Sequence, residues 1–231
     1  MWLINSSIGR KLIMSITGIC LILFLTFHML MNLVALISPH AYNLICEFLG
    51  ANWYALVATM GLAVGFLLHI VYAFYLFYQN KKARGSNKYA ESSLPKEVKW
   101  ASQNMLVLGI VVASFLVLHL YNFWAKMQLV EVLHKLGVDV DPESMRRATD
   151  GVDHIAKTFS DPIYVFLYVV GLVALWFHLT HGFWSALQSI GLNNKVWFNR
   201  IKTIGNVYST VIVLGFALVV FVFYIKSLVC I

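Results

Sequence analysis

Apolar residues in this 231-residue chain occur in five long blocks, at about 12–37, 54–79, 102–125, 161–188 and 204–229. A helix needs about 20 apolar residues to cross the ~30 Å hydrocarbon core of a bilayer, and each block is long enough to do so with some tilt. The pattern therefore predicts an all-α membrane protein, a bundle of five transmembrane helices. We interpret residues 1–231 as a single membrane domain.

The connections between the blocks differ in character. Residues 81–99 are polar and basic, and they include a proline that stops a helix. Residues 126–160 carry mixed charge, and we predict that they form an amphipathic segment outside the membrane. Cys20, Cys46 and Cys230 lie far apart, without CxxC or CxxCH spacing. This spacing argues against iron–sulfur ligation, covalent haem attachment or a disulfide framework.

Composition supports the membrane interpretation. Apolar residues make up 60% of the chain, charged residues only 12%, and the mean hydropathy is +0.77. A soluble domain carries about 25% charged residues. The formal charge of +7 does not indicate nucleic acid as a partner, because the basic residues flank the apolar blocks. We expect membrane lipid to surround the chain.

The distribution of Lys and Arg predicts the orientation. Eleven of these residues lie before the first block, between the second and third, and between the fourth and fifth, whereas the opposite side carries six. Short basic loops stay in the cytoplasm. We therefore predict a cytoplasmic N-terminus and a C-terminus on the outside.

Four histidines lie one each inside the first four apolar blocks: His28, His69, His119 and His178. An ionisable side chain inside a membrane is costly and marks a functional site by default. A hydrogen bond to a neighbouring helix is the alternative for any one of them. It is a much weaker explanation for four histidines at one per helix.

The depths of these histidines predict two pairs. From the cytoplasmic ends of their helices, His28 and His119 lie about 24 and 26 Å away, and His69 and His178 about 15 Å away. The two levels are thus roughly 10 Å apart along the membrane normal. Two imidazoles facing each other at one level can fill both axial positions of a haem iron. The sequence therefore predicts two stacked haems b across the bilayer.

The neighbours of these histidines leave alternatives open. Small residues lie one or two turns from His69 and His178, and they either form a slot for a porphyrin or simply pack helices together; they are Gly65, Ala73, Ala174, Gly182 and Ser185. Asn32 and Asn122 follow His28 and His119 by one turn and are candidates to bond a haem propionate, a quinone, or each other. His181 competes with His178 as ligand, although His178 matches the depth of His69 better. We expect His40, His134 and His154 to be solvated.

Several motifs together resemble one known family. They are GRK at 9–11, TG at 17–18, His28 followed by NL at 32–33, a lone histidine in each of the second and third blocks, and FHLTHGFWSALQSIG at 177–191. This pattern resembles the dihaem cytochrome b subunit of succinate:quinone oxidoreductases, the group of succinate dehydrogenase and quinol:fumarate reductase. The resemblance spans nearly the whole chain and implies that the axial ligands are His28, His69, His119 and His178.

The resemblance also implies partners and a location. They are a flavoprotein subunit and an iron–sulfur subunit on the cytoplasmic face, with the His69/His178 haem proximal to the clusters and the His28/His119 haem distal. The quinone would be menaquinone, bound near the distal haem, and the location the bacterial cytoplasmic (inner) membrane, crossed several times. Some menaquinol-oxidising relatives carry a glutamate two residues before the fourth ligand. Trp176 stands there instead, which argues against that proton pathway.

Quinone chemistry also moves protons, so the quinone site needs an acid or base near water. Glu47 is the acid between the first two blocks and is our candidate for this exchange, with His40 second; a merely solvated carboxylate is the alternative. On the inner side, Ser7, Arg10 and Lys11 are candidates to bind a propionate or meet the iron–sulfur subunit. They are equally explained as topology signals.

Three other functions compete with this interpretation. A histidine-lined transporter would favour acids within the helices and interrupted helices, and the sequence has few of either. A cytochrome b subunit of a formate dehydrogenase or hydrogenase is a second alternative. A structural anchor without haem is the third.

Overall fold

The computed structural model describes residues 6–84, 100–192, 194 and 196–229. Some residues used in the sequence analysis lie outside these ranges. They are Cys230 and four of the basic residues counted for the orientation, Lys88, Lys96, Lys99 and Lys195. The helices within them are α1 (Ser7–Ile37), α2 (Pro39–Ala51), α3 (Trp53–Arg84), α4 (Trp100–Gln103), α5 (Met105–Asn122), α6 (Gln128–Lys135), α7 (Pro142–Ala148), α8 (Gly151–Phe159), α9 (Pro162–Ser189) and α10 (Trp197–Val229), with a 3-10 turn at Trp124–Lys126.

Five of these helices, α1, α3, α5, α9 and α10, are long and apolar enough to cross a membrane. The prediction of an all-helical protein with five such helices is confirmed. The third predicted block, 102–125, is shorter as a continuous helix. It begins after the break at Asn104, whose side-chain amide donates to the Trp100 carbonyl at 2.9 Å, and Phe123 ends it. The sidedness of the termini stays a prediction.

A helix also occupies the connection between α1 and α3, for which the sequence pattern predicted no helix. Ser38 ends α1 and caps α2, because its hydroxyl accepts the Ala41 N–H at 3.2 Å and Pro39 stands in the first turn. This sequence is a start signal for a helix. The predicted amphipathic segment 126–160 forms three short helices, and Asp141 and Asp150 cap the second and third of them, α7 and α8.

The helices α2, α6, α7 and α8 form a layer that we call the cap. It packs against the end of the bundle where α1 finishes and α9 begins. Asn43 joins its parts: its amide donates to Asp150 at 2.9 Å and accepts the Val152 N–H at 3.0 Å. The cap therefore distinguishes one end of the bundle from the end that holds the N-terminus.

The apolar core lies between α1, α9, α10 and the last cap helix. Its fully buried members are Met29, Ala35, Ile155, Phe159, Val165, Tyr168, Leu172, Leu175, Leu179, Ile212, Val219, Val220 and Phe223. Helix α3 lies outside this core. It packs along α1 and meets α5 only sparsely.

Candidate functional site: two histidine pairs

The first histidine pair lies near the cap. His28 on α1 faces His119 on α5, with ring centroids 5.7 Å apart and ring planes at 84°. Phe24 stacks on His28 at 5.3 Å, and Phe216 of α10 lies 5.6 Å from the same ring. We call His28 and His119 the cap pair.

The second pair lies toward the other end of the bundle. His69 on α3 faces His178 on α9, with ring centroids 6.4 Å apart and planes at 63°. We call these two the N-terminal pair. An ideal Cβ on Gly109 of α5 would contact His178 Cε1 at 3.7 Å. About ten residues of α5 separate Gly109 from His119, so the two levels are about 15 Å apart, somewhat more than the depth argument predicted.

The structure therefore brings together the two combinations that the sequence predicted. Metal–imidazole bonds are about 2 Å long, so two imidazoles on opposite sides of one metal ion have ring centres about 6 Å apart. Both pairs have this separation. Among the described residues no three His, Cys, Asp or Glu side chains meet to hold a metal ion. A porphyrin needs only two protein ligands, since it supplies four nitrogens itself.

Open space lies beside the N-terminal pair. Gly65 and Gly182 lie one helical turn from His69 and His178, and an ideal Cβ on either glycine would meet none of the described residues within 4 Å. These half-buried positions fit the slot that the sequence analysis considered. Closer neighbours were missed: a Cβ on Gly18 would contact His69 Cε1 at 3.4 Å, and Gly109 has the same relation to His178. The TG motif at 17–18 was the available signal.

The two imidazoles of the N-terminal pair differ in hydrogen bonding. Thr17 Oγ1 lies 3.2 Å from His69 Nδ1. His178 Nδ1 is buried and has no hydrogen-bond partner in the part of the chain that the structure describes. An unpartnered buried nitrogen costs free energy. The two imidazoles of this pair therefore lie in different polar surroundings.

His181 points to different neighbours. Its ring lies 4.8 Å from Trp184, and that indole lies 5.7 Å from Phe198. Lys202 of α10 lies over both aromatic rings, at 5.1 and 4.0 Å. His178, not His181, is the residue whose ring faces His69, which supports the choice of His178.

Asn32 and Asn122 are hydrogen-bonded to other residues and not to each other. The Asn32 amide donates to the His28 carbonyl at 2.8 Å, lies 3.4 Å from His28 Nδ1, and accepts the Tyr42 hydroxyl at 3.3 Å. Asn122 is 1% exposed and donates to the Tyr168 hydroxyl at 3.3 Å. Both thus lie within the packing around the cap pair, and a role in binding propionate or quinone stays a prediction.

The basic residues at the start of α1 lie at the end remote from the cap. Arg10 donates to the Tyr75 hydroxyl of α3 at 3.4 Å and lies over that ring at 5.4 Å. Lys11 and Ser7 are exposed. The helix is capped by the residue before, since Ser6 Oγ accepts the Gly9 N–H at 2.9 Å. A role for Ser7, Arg10 and Lys11 toward a propionate or a partner subunit stays a prediction.

Glu47 lies on the exposed face of α2, in a shallow depression lined also by Leu44, Phe48 and Asn52. Its role in proton exchange stays a prediction. His40 and His134 are exposed, as expected, whereas His154 is half-buried with Nε2 3.1 Å from the Arg147 carbonyl. Burial lowers the pKa of that imidazole.

The acidic residue that sequence reasoning missed is Glu131 of α6. It is only 6% exposed, and its carboxylate occupies the place that a side chain on Gly50 would take. Lys135, one turn on, donates to the Gly50 carbonyl at 3.1 Å. Burial raises the pKa of Glu131; Lys135 opposes the rise and Glu47 adds to it.

Trp176, two residues before His178, joins two of the long helices. Its indole N–H donates to Thr210 Oγ1 at 3.0 Å and so ties α9 to α10. Tyr208 ties α10 to α1, through Thr26 Oγ1 at 2.7 Å and the Ile22 carbonyl at 3.0 Å.

Comparison with known proteins gives one similarity. The chain is 23% identical over 183 residues to the succinate dehydrogenase cytochrome b558 subunit of Bacillus subtilis (strain 168), which covers 78% of this chain and 78% of that protein. No family model matches the chain. No solved structure matches it.

Proposed function

We propose that this chain is the cytochrome b membrane-anchor subunit of a succinate:quinone oxidoreductase. It carries electrons between a membrane quinone and the iron–sulfur and flavoprotein subunits. One haem b is held by the cap pair, His28 and His119, and the other by the N-terminal pair, His69 and His178.

The observation that carries this proposal is the pair of facing imidazoles at each of two levels, with ring centroids 5.7 and 6.4 Å apart. The similarity to a succinate dehydrogenase cytochrome b558 subunit supports the choice of complex. The sparse packing of α3 against α5, together with the open positions at Gly65 and Gly182, supports a flat cofactor at the N-terminal pair.

The protein's part in the proposed chemistry is to hold the haems and to keep water away from them. Each bound haem supplies one-electron transfer at its iron. Two histidines would hold each haem iron and leave it no site for oxygen, which suits the pairs to electron transfer. The apolar rings of Phe24 and Phe216 beside His28 exclude water from the cap pair. Side chains of this chain set the surroundings on which the potentials of the two haems depend.

The quinone, for which the resemblance favours menaquinone, is placed by the proposal near the cap pair. Glu47 exchanges its protons with water on that side. The depression beside Glu47 has apolar walls from Leu44 and Phe48 and an amide from Asn52. Such a combination suits a ring with polar oxygens.

The soluble subunits dock at the end of the bundle remote from the cap, next to the N-terminal pair. Arg10 and Lys11 lie at this end and provide positive charge for a partner surface. The proposal places this end in the bacterial cytoplasm. The exposed apolar side chains of the long helices face lipid, as a multi-pass membrane protein requires.

The test of the haem assignment is a pyridine haemochrome count with a reduced-minus-oxidised spectrum on the purified complex. Two haems b per chain are expected. His178→Ala should lose one haem or convert it to a high-spin form, whereas His181→Ala should keep both, because His181 contacts Trp184 and not His69. If the wild-type protein contains no haem, the transporter and the structural anchor would be the remaining interpretations. Co-purification with a formate dehydrogenase or hydrogenase would favour that complex instead.

The pairing is tested with the same spectra. His28→Ala and His119→Ala should alter one spectral component, and His69→Ala and His178→Ala the other. A shared phenotype for His28→Ala and His69→Ala would contradict the pairing.

The role of Glu47 is tested by Glu47→Gln, which keeps the size of the side chain but cannot take a proton. We expect quinone reduction to stop or slow severely, while both haems stay bound and succinate oxidation with a soluble dye continues. Asp139→Asn is the matched control, since Asp139 is another exposed acid of the cap side. Quinone turnover within about twofold of wild type in Glu47→Gln would exclude this role, and His40 would be tested next.

A further inference from the structure

Thr17 and His69 meet where α3 packs against α1. Thr17 Oγ1 lies 3.0 Å from the Ile13 carbonyl, 3.1 Å from the Met14 carbonyl and 3.2 Å from His69 Nδ1. Gly18, the next residue, lets the imidazole approach the backbone of α1, because a Cβ there would already contact His69 Cε1 at 3.4 Å. The ring is therefore seated between a hydroxyl and a glycine.

The hydrogen-bond directions follow from the proposed metal ligation. A neutral histidine that binds a metal through Nε2 carries its proton on Nδ1, so His69 Nδ1–H would donate to Thr17 Oγ1. A threonine hydroxyl has one proton to donate and lone pairs that accept. Thr17 can therefore accept from His69 while it donates to the Ile13 or Met14 carbonyl.

We propose that Thr17 is a positioning residue for His69: it fixes the tautomer and orientation of this imidazole and raises its basicity as an iron ligand. The inference rests on the proposed function, since it concerns the haem of the N-terminal pair. Histidine ligands commonly donate their second N–H to such a partner, and loss of the partner weakens metal binding by about 10- to 100-fold.

The proposal makes the N-terminal pair asymmetric. His69 has an acceptor for its second nitrogen, whereas His178 Nδ1 has none among the described residues. A more basic ligand stabilises the ferric state, so Thr17 lowers the reduction potential of this haem. Removing the hydroxyl should therefore raise that potential.

The experiment compares hydroxyl deletions at two threonines of α1 in the purified complex. Thr17→Val keeps the shape of the side chain but removes the acceptor, and Thr17→Ser keeps the acceptor. Thr26→Val is the matched control, because Thr26 makes the same bond to its own helix, to the Ile22 carbonyl at 3.0 Å, but its second partner is Tyr208 and not a histidine. Optical redox titrations and low-temperature EPR report each haem separately.

We expect Thr17→Val to raise the midpoint potential of the N-terminal-pair haem, to change its EPR signal and to weaken its retention by about 10- to 100-fold. The cap-pair haem should be unchanged and serves as an internal control for folding. Thr17→Ser should restore wild-type behaviour, and Thr26→Val should leave the N-terminal-pair haem unaltered. If the Thr17→Val protein does not accumulate, Thr17→Ala removes the same hydrogen-bond acceptor with a smaller side chain.

Two results would overturn the proposal. One is a Thr17→Val or Thr17→Ala protein in which both haems keep their wild-type potentials and EPR signals. The other is a Thr17→Ser protein that behaves like Thr17→Val, which would mean that the hydroxyl does not act. A wild-type complex without haem would instead refute the proposed function itself.

Discussion

Gly182→Leu distinguishes a protein cavity from a cofactor slot. Gly182 lies one turn after His178, and an ideal Cβ there meets no atom of the described residues within 4 Å. These residues therefore leave room for a side chain to begin at this position. Only something that occupies the space, which we propose to be the haem of the N-terminal pair, would oppose it.

Gly182→Leu should have two opposite effects, one on the stability of the helix and one on haem binding. Leucine is a better helix former than glycine by about 1 kcal/mol, so the helix itself should not be destabilised. Forcing extra carbons into an occupied, well-packed site costs about 1–3 kcal/mol. Since about 1.4 kcal/mol is a factor of ten in affinity, haem binding should weaken by about 5- to 140-fold.

The assay is haem content per chain with the reduced-minus-oxidised spectrum, measured on purified complexes. Gly61→Leu is the matched control: a Cβ on Gly61 also meets nothing within 4 Å, but that residue lies on the exposed face of α3. We expect loss of the N-terminal-pair haem in Gly182→Leu only, with the cap-pair haem retained. A Gly182→Leu protein with full haem content and an unchanged spectrum would refute the placement of the haem beside Gly182.

Two further predictions concern the cap side of the bundle. In Gly171→Ala the new methyl group would overlap the Phe115 ring, whose Cδ1 lies 2.9 Å from the ideal Cβ. We expect this overlap to lower the free energy of unfolding by about 1–3 kcal/mol, measured by thermal unfolding. We also expect a shifted spectrum of the cap-pair haem alone, because Phe115 packs on His119 at 6.3 Å. An unaltered cap-pair spectrum would contradict this coupling. The raised pKa of Glu131 means that the folded cap binds more protons than the unfolded one, so stability falls as pH rises from the ordinary glutamate value through the raised one. Glu131→Gln should therefore resist proteolysis within the cap better than wild type at about pH 8 and equally at about pH 4, and a wild type that is equally resistant at both would contradict the assignment.

The long helices could be predicted from the sequence because a bilayer demands continuous apolar blocks. The histidine combinations were also predictable. The rise of a helix is fixed, so position along an apolar block converts directly into depth, and depth separates His28 and His119 from His69 and His178. The breaks at Asn104 and Phe123 were not predicted, because no proline or glycine, the usual signals of a helix break, stands at either position.

The cap was predicted least well. Ser38 followed by Pro39 is a helix start signal, yet the connection was interpreted as a loop since it lay between two membrane blocks. The burial of Glu131 had no sequence signal at all. It depends on Gly50, far away in the chain, which has no side chain and so leaves a place for the carboxylate at the end of α2.

A contact between helices also separates the two histidines of α9. His178 and His181 are three residues apart, and their spacing from the helix ends alone leaves both as candidate ligands. Gly109 of α5 gives His178 room next to His69, whereas Trp184, three residues further along α9, holds the ring of His181 near the start of α10. The spacing of His181 and Trp184 on one helix follows from the sequence. The approach of α5 to His178 does not, because single-sequence periodicity contains no contact between helices.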